Sequence, residues 1–425
     1  VSDAERTGLE VDPGPEPGPG RRNREHGQRR ALVVTATALF LSVLVWFNYP
    51  AVLPRVIDDW GLSGIEAGVM FGALQAGYLT AILPAGWLAD RRSPRWVVSI
   101  GAVGTALPSL AFAAVADGVV LGSLLRFCSG LFVAGVYIPG MRFLSDWFPE
   151  SVRGRALGLY IGTFELGSGL SFVFATTAAT AVDWRVAVGL TSAGALVVPL
   201  LMLGLTQAPP GRTEPTGIFP DLGLLRNRAF LAATAVYSFH NWELFGVRNW
   251  LLAFLVVAPA IPGGVLPGLV VGAMVVASGV GNVAGGWLSD RIGRTRVLAG
   301  GLVASALCSG LFGLLGGLPA GLLVTVTLGY GFVLAVDSAP TSTLVTEVVA
   351  DERVGAALSV QSLTGFSTTV VSPVVFGLAL DRRGYAVAFP TLAAGALAGL
   401  ISVAILAQSL PWRAEAGRAV GGEPE

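Results

Sequence analysis

Long runs of apolar residues, separated by short turns of Asp, Arg, Pro and Gly, pattern this chain from Ala31 to about residue 408. The runs fall near 31–50, 64–88, 96–115, 118–141, 155–180, 185–205, 229–257, 266–288, 297–316, 320–346, 355–379 and 386–408, twelve in all. At about 1.5 Å per residue, each is long enough to cross a hydrocarbon layer about 30 Å thick. Lipid offers backbone N–H and C=O groups no partner, which leaves helices as the option for spans of this kind. The pattern predicts an all-α integral membrane protein with twelve transmembrane helices. Between the sixth and seventh runs, Pro209-Pro210-Gly211 and the stretch from Pro215 to Pro220 interrupt the apolar pattern. That interruption divides the chain into six-helix bundles at 31–205 and 229–408, joined by a linker at 206–228. The flanks, 1–30 and 409–425, read as tails; the first, with its Pro-Gly run at 14–20 and its arginines, is expected to be disordered.

Composition agrees with a polytopic membrane protein. Hydrophobic residues make up 53% of the chain and charged residues 13%, and the mean hydropathy is +0.70, far above what a soluble core of this size needs. All 27 basic residues are arginine. They gather in the first tail and in the turns after even-numbered runs, whereas only Arg55, Arg185, Arg382 and Arg383 occupy the alternate turns. By the positive-inside rule this places both tails in the cytoplasm and the protein in the cell membrane. Cys128 and Cys308 lie inside apolar runs in different halves, so neither a disulfide nor a metal site is expected. No Gly-x-x-x-x-Gly-Lys loop occurs, so ATP is not a direct energy source. No cofactor is expected, no nucleic acid partner, and the chain reads as a monomer in a lipid bilayer.

One turn is written twice. Gly286-Trp287-Leu288-Ser289-Asp290-Arg291-Ile292-Gly293-Arg294 joins the eighth and ninth runs, and Gly86-Trp87-Leu88-Ala89-Asp90-Arg91-Arg92-Ser93-Pro94 joins the second and third. At an offset of about 201, Gly130 falls on Gly331, Pro139 on Pro340 and Val186-Ala187 on Val387-Ala388. The Gly-x-x-x-Asp-Arg-x-Gly-Arg pattern resembles the signature loop of the major facilitator superfamily of transporters. Trp147-Phe148-Pro149-Glu150, followed by Arg153-Gly154-Arg155, resembles that family's loop between helices 4 and 5. The resemblance implies two pseudo-symmetric six-helix halves that rock about a substrate held between them. It also implies gating roles for Asp90, Arg91, Gly286, Asp290, Arg291, Gly293 and Arg294. The first copy departs from the pattern, with Ser93 for glycine and Pro94 for arginine, so Asp90 is expected to matter less than Asp290.

Charges inside membrane spans are expensive, so they mark function or pairing. Arg126, Glu165, Glu243, Arg248 and Asp337 qualify, with His240 beside them. Arg126 and Arg248 could hold an oxyanion through bidentate bonds, although either could also serve packing or the interface. Trp46, Asn48 and Tyr49 on the first run complete the substrate-binding candidates. Burial disfavours a charged carboxylate while a nearby arginine favours it, so Glu243, Asp337, Glu165 and His240 are the proton-coupling candidates. His240 and Glu243, three apart, can share a helix face, whereas Glu243 and Arg248, five apart, should not pair.

The resemblance implies a secondary transporter, not an enzyme, and these residues predict that it moves a small organic anion with protons. Uptake is favoured over efflux because the helix 5 motif of drug antiporters is half present. Gly158 and Gly167 keep its spacing, but Ser168 replaces the proline and the closing glycine pair is missing, which removes a kink and a close helix approach. A proton-coupled efflux antiporter and a transporter-like solute sensor are the alternatives.

Overall fold

The computed structural model describes residues 19–209, 222–350 and 353–409. Within them run α1 (Pro19–Trp60), α2 (Gly64–Arg91), α3 (Pro94–Val115), α4 (Val119–Trp147), α5 (Glu150–Ala181) and α6 (Trp184–Leu205). After the linker come α7 (Arg228–Val257), α8 (Leu266–Ile292), α9 (Arg294–Phe312), α10 (Ala320–Glu347), α11 (Val354–Arg383) and α12 (Tyr385–Ser409). Eleven of these are long and apolar enough to cross a membrane. The remaining one, α7, has the length but carries His240, Asn241, Glu243, Arg248 and Asn249, all buried inside the protein. The outer surface is apolar instead: Val120 is 86% exposed and Val283 74%, as lipid contact requires.

Local sequence explains the helix ends. Ser63 and Glu66 form a capping box at the start of α2, Ser63 N–H donating to Glu66 Oε2 at 2.8 Å. Asn227 Oδ1 accepts from the N–H groups of Ala229 and Phe230 to start α7, and its amide donates to the Val348 carbonyl at 2.8 Å, tying α7 to the end of α10. The two signature turns are built differently. Gly293 turns α8 into α9 at φ +95°, a conformation that favours glycine. In the first copy, Arg92 and Ser93 stay extended and Pro94 opens α3 at its first turn.

Two expectations are corrected. The helix α1 begins at Pro19, so residues 19–30 of the expected disordered tail are helical. Gln28 Nε2 donates to the Trp147 carbonyl at 3.0 Å, and the Trp147 ring lies where a Cβ on Gly27 would be. The rest of that tail, the linker residues 210–221 and the tail from 410 lie outside the described residues. Second, α10 is not continuous: it breaks at residues 335–337 between Ala320–Leu334 and Ser338–Glu347.

Small residues set the packing, as expected where close van der Waals approach replaces the hydrophobic effect between helices. Gly130 of α4 lies against the Leu74 carbonyl of α2, and its repeat, Gly331 of α10, lies against the Met274 carbonyl of α8. The halves meet through α2 with α11, α5 with α8, and α1 with α7. Gly64, Gly68 and Gly72 face the backbone of Gly377, Pro373 and Val370, while Gly268 and Gly272 face Phe172 and Gly169. The α5–α8 approach therefore survives the missing glycine pair, because Gly169 supplies the small residue. All these contacts lie toward the end opposite the signature turns. There the Asp381 carboxylate of α11 accepts from the N–H groups of Gly64 and Ile65 at 2.6 and 3.0 Å, satisfying orphan donors at the α2 N-terminus.

Candidate functional site

At the signature end the halves stand apart around a cavity of about 320 Å³, lined by Ile82, Leu83, Ile138, Met141, Leu358 and Ser362, with Asp90 and Arg142 among its polar groups. One turn deeper on the same helices lie Tyr78, Tyr137 and Phe366. Rings of both halves touch there, Tyr78 with Phe366 at 4.9 Å between centroids and Phe47 with Phe245 at 6.4 Å. The protein is thus closed at the far end and open toward the signature turns.

Arg126 does not reach this cavity. It is 1% exposed and points at α1, where Nη2 donates to the Trp46 carbonyl at 3.2 Å and Nη1 to the Val45 carbonyl and Asn48 Oδ1 at 3.3 and 3.2 Å. The local cause is Pro50. Lacking an N–H, it leaves the carbonyl four residues earlier, that of Trp46, without its helical donor, and Arg126 supplies one. Asn48 also faces the interior of its own half, its amide donating to Ser109, Thr191 and Ser192, each at 3.3 Å. Tyr49 donates to the Ala67 carbonyl at 3.0 Å and lies 5.2 Å under the Arg126 guanidinium. Of the first-run candidates only Trp46 packs on rings that meet the other half, lying 4.9 Å from Tyr78, with its Nε1 donating to Gln75 Oε1 at 3.0 Å. The expectation that Arg126 faces the substrate is corrected, because its guanidinium is bonded within its own half.

The other candidate arginine is Arg248. Its Nη2 meets Glu165 Oε2 at 2.5 Å, an ion pair from α7 to α5 that joins the two halves. The arginine side chain is 2% exposed and the glutamate 29%; the guanidinium sits 5.6 Å over the Phe47 ring. Arg248 does not snorkel to the interface, and Glu165, expected as a proton-coupling candidate, turns out to be its partner. Removing Glu165 leaves the buried guanidinium uncompensated, and because the acid is partly exposed the cost falls below the ~3–5 kcal/mol of a fully buried pair.

The remaining candidates gather in the C-terminal half. His240 Nδ1 lies 2.8 Å from Asp337 Oδ1, and Asp337 sits at the break in α10. Glu243 Oε1 accepts from Ser305 at 2.7 Å, from Ser309, and from Tyr330 at 3.4 Å. His240 and Glu243 do share the α7 face that looks at α9 and α10. The three hydroxyl donors were not legible beforehand, since a serine or tyrosine within an apolar run carries no signal of its own.

The signature turns hold different networks. Arg294 bridges Asp290 at 2.5 Å and Glu347 of α10 at 3.1 Å. In the first copy Arg142, from α4, contacts Asp90 at 3.3 Å and Asp146 at 3.6 Å. The arginine lost at Pro94 is thus replaced from another helix, which corrects the expectation of a weakened first copy. The repeat offset puts Asp146 on Glu347, a correspondence that could have revealed this. Arg91 and Arg291 lie over Trp87 and Trp287, at 4.6 and 3.7 Å, in both copies, and Gly286 leaves room for Ala339 of α10.

Comparison with known proteins bears on this architecture. The family model described as Major Facilitator Superfamily matches residues 35–267 and 257–421. The chain is 24% identical to the probable sulfoacetate transporter SauU of Cupriavidus necator, over 88% of this chain and 92% of that protein. It is 24% identical to the hexuronate transporter of Bacillus subtilis, over 83% and 88%. A shorter match, 34% identical, covers 34% of this chain and 27% of the nitrate/nitrite transporter NrtP of a Picosynechococcus strain. Among solved structures, a bacterial homologue of the human lysosomal transporter Spinster, in an inward-facing and unoccupied conformation, superposes with TM-score 0.73 at 15% identity, covering 94% of this chain and 99% of that one.

Proposed function

The chain belongs to the Major Facilitator Superfamily, a family of transporters rather than enzymes, and on that premise we propose that it takes up a small organic anion together with protons by alternating access. The observation that carries this reading is the Arg248–Glu165 pair, the one ion pair among the described residues that both joins the halves and includes a partly exposed acid. While Glu165 is ionised it satisfies Arg248 and holds the halves together. Once Glu165 takes a proton, Arg248 is left buried without a counter-charge, and an incoming carboxylate relieves that cost. Proton and anion then bind together or not at all, which is coupling. Glu243, with His240 and Asp337, is a second proton-holding group, placed where α7, α9 and the broken α10 meet. The relatives named for sulfoacetate, hexuronate and nitrate support an anionic substrate.

The arginine distribution supports cytoplasmic termini and signature turns, so the structure is open inward. A cysteine at exposed Arg296 then stays unlabelled by impermeant maleimide in intact cells and reacts after the membrane is opened. Reconstituted in proteoliposomes, the protein takes up an organic anion faster with acid outside. Glu165→Gln and Glu243→Gln each lower gradient-driven uptake at least about tenfold while anion exchange at equal pH persists. Uptake indifferent to the gradient in the unaltered protein, or full gradient drive in both variants, would sink proton coupling.

A further inference from the structure

Six rings close a circuit across the junction of the halves, running Phe164, Trp46, Tyr78, Phe366, Phe245, Phe47 and back to Phe164. Neighbouring centroids are 4.9 to 6.4 Å apart, the spacing of interacting aromatic pairs. Phe164 and Phe366 are only partly buried, as are Tyr137, which packs on Phe164 at 5.7 Å, and Tyr237, which packs on Gly365. Tyr137 and Phe366 sit one turn below the cavity residues Met141 and Ser362. The innermost surface that a solute entering from the open end meets is therefore a layer of ring faces and edges. Its polar groups are few: the phenol hydroxyls of Tyr78, Tyr137 and Tyr237 and two side-chain amides. Gln75 spends its carbonyl oxygen on Trp46 and keeps an unpartnered Nε2, and Asn241 donates to the Tyr237 carbonyl.

Two features narrow what can bind. A solute bearing hydroxyls on every side would lose its water here for a handful of phenol and amide partners, which costs affinity for every group left unbonded. Charge recognition is equally restricted: Arg126 is spent on the α1 carbonyls, so Arg248, over the Phe47 ring, is the arginine that borders the layer. A second carboxylate on the solute would be buried unpaired. Aromatic walls also suit organic cations, but Arg248 opposes a cation, and Glu165 is already neutralised by Arg248.

We propose that the transported solute is a planar aromatic or conjugated monocarboxylate, its flat body lying on the ring layer and its carboxylate replacing Glu165 on Arg248. This assignment rests on the organic-anion reading and deepens it. The chemistry of recognition is then one charge-assisted bidentate pair and one stacked face.

The test uses the purified full chain in lipid nanodiscs, with four probes: benzoate, the dianion phthalate, the sugar acid galacturonate, and benzylamine. Binding is read by calorimetry at acidic pH and transport by counterflow in proteoliposomes. Benzoate is expected to bind and to exchange, with phthalate and galacturonate about tenfold weaker or worse. Phe366→Leu should weaken benzoate about tenfold and leave galacturonate unchanged; should that variant not give a cooperative melt, Phe164→Leu reads the same contact. Galacturonate binding as well as benzoate would overturn the aromatic assignment while leaving the anion reading intact. Phthalate binding as well as benzoate would overturn the single carboxylate. Benzylamine bound with no anion bound would overturn both readings, and binding of none of the four by folded protein would overturn the proposal itself.

Discussion

The two halves repeat one architecture but treat buried charge in opposite ways. In the N-terminal half Arg126 is bonded to its own bundle, to carbonyls of α1 and to Asn48, and Asn48 in turn bonds three hydroxyls of α3 and α6. In the C-terminal half the charges are titratable or shared: His240 with Asp337, Glu243 with three hydroxyls, Arg248 with Glu165 of the other half. At the repeat offset of 201 residues, Thr327 stands where Arg126 does, and Ser42 and Val136 stand where Glu243 and Asp337 do. Duplication supplied the frame, and divergence made one half bond its buried charge within its own bundle and gave the other an acid–histidine pair, a hydroxyl-bonded carboxylate and an arginine shared with the opposite half. The asparagines show this most plainly. Asn48 and Asn249 occupy the same place in the repeat, but the positions of Ser109, Thr191 and Ser192 become Gly310, Leu392 and Ala393, so both amide atoms of Asn249 are buried without a partner.

The largest effect should come from Arg126→Ala. It strands the Trp46 carbonyl and Asn48 inside the protein and opens a void, for a loss of about 2–4 kcal/mol. A fall in melting temperature in detergent, accompanied by loss of transport, is the expected outcome. An unshifted melt with binding abolished would return Arg126 to the substrate and break the contrast between the halves.

A paired substitution sharpens it. Asn48→Leu removes the centre of a satisfied network and should cost about 2 kcal/mol, whereas Asn249→Leu removes an orphan amide of similar volume and should be neutral or stabilising by about 1 kcal/mol. Thermal melts of the two variants decide the matter, and equal losses would show that Asn249 is as well partnered as Asn48.

The signature turns offer the smallest test. Asp90 and Arg142 are 12–14% exposed, while Asp290 is 66% exposed; a screened surface pair is worth about 1 kcal/mol or less. Asp90→Asn should therefore slow counterflow several-fold and Asp290→Asn less than about twofold. The reverse order would restore the second turn as the stronger latch.

Much of this protein was legible in its sequence because membrane physics leaves few options. Unpaired backbone groups are excluded from lipid, so twelve apolar runs become twelve helices. Duplicated glycines keep their packing role, as Gly130 against Leu74 and Gly331 against Met274 demonstrate. The spacing of His240 and Glu243 put them on one face of α7, and they occupy one. Mid-span charge marked the residues that have partners. What the sequence could not decide was which partner each one takes. Arg126 and Arg248 look alike as arginines in apolar runs. One serves a carbonyl released by a proline on a neighbouring helix, the other an acid in the opposite half, because helix packing brings together residues 80 or more positions apart. The closed far end, the migrated arginine at Asp90 and the ring circuit between the halves depend in the same way on which helix faces meet, and only the tertiary structure sets that.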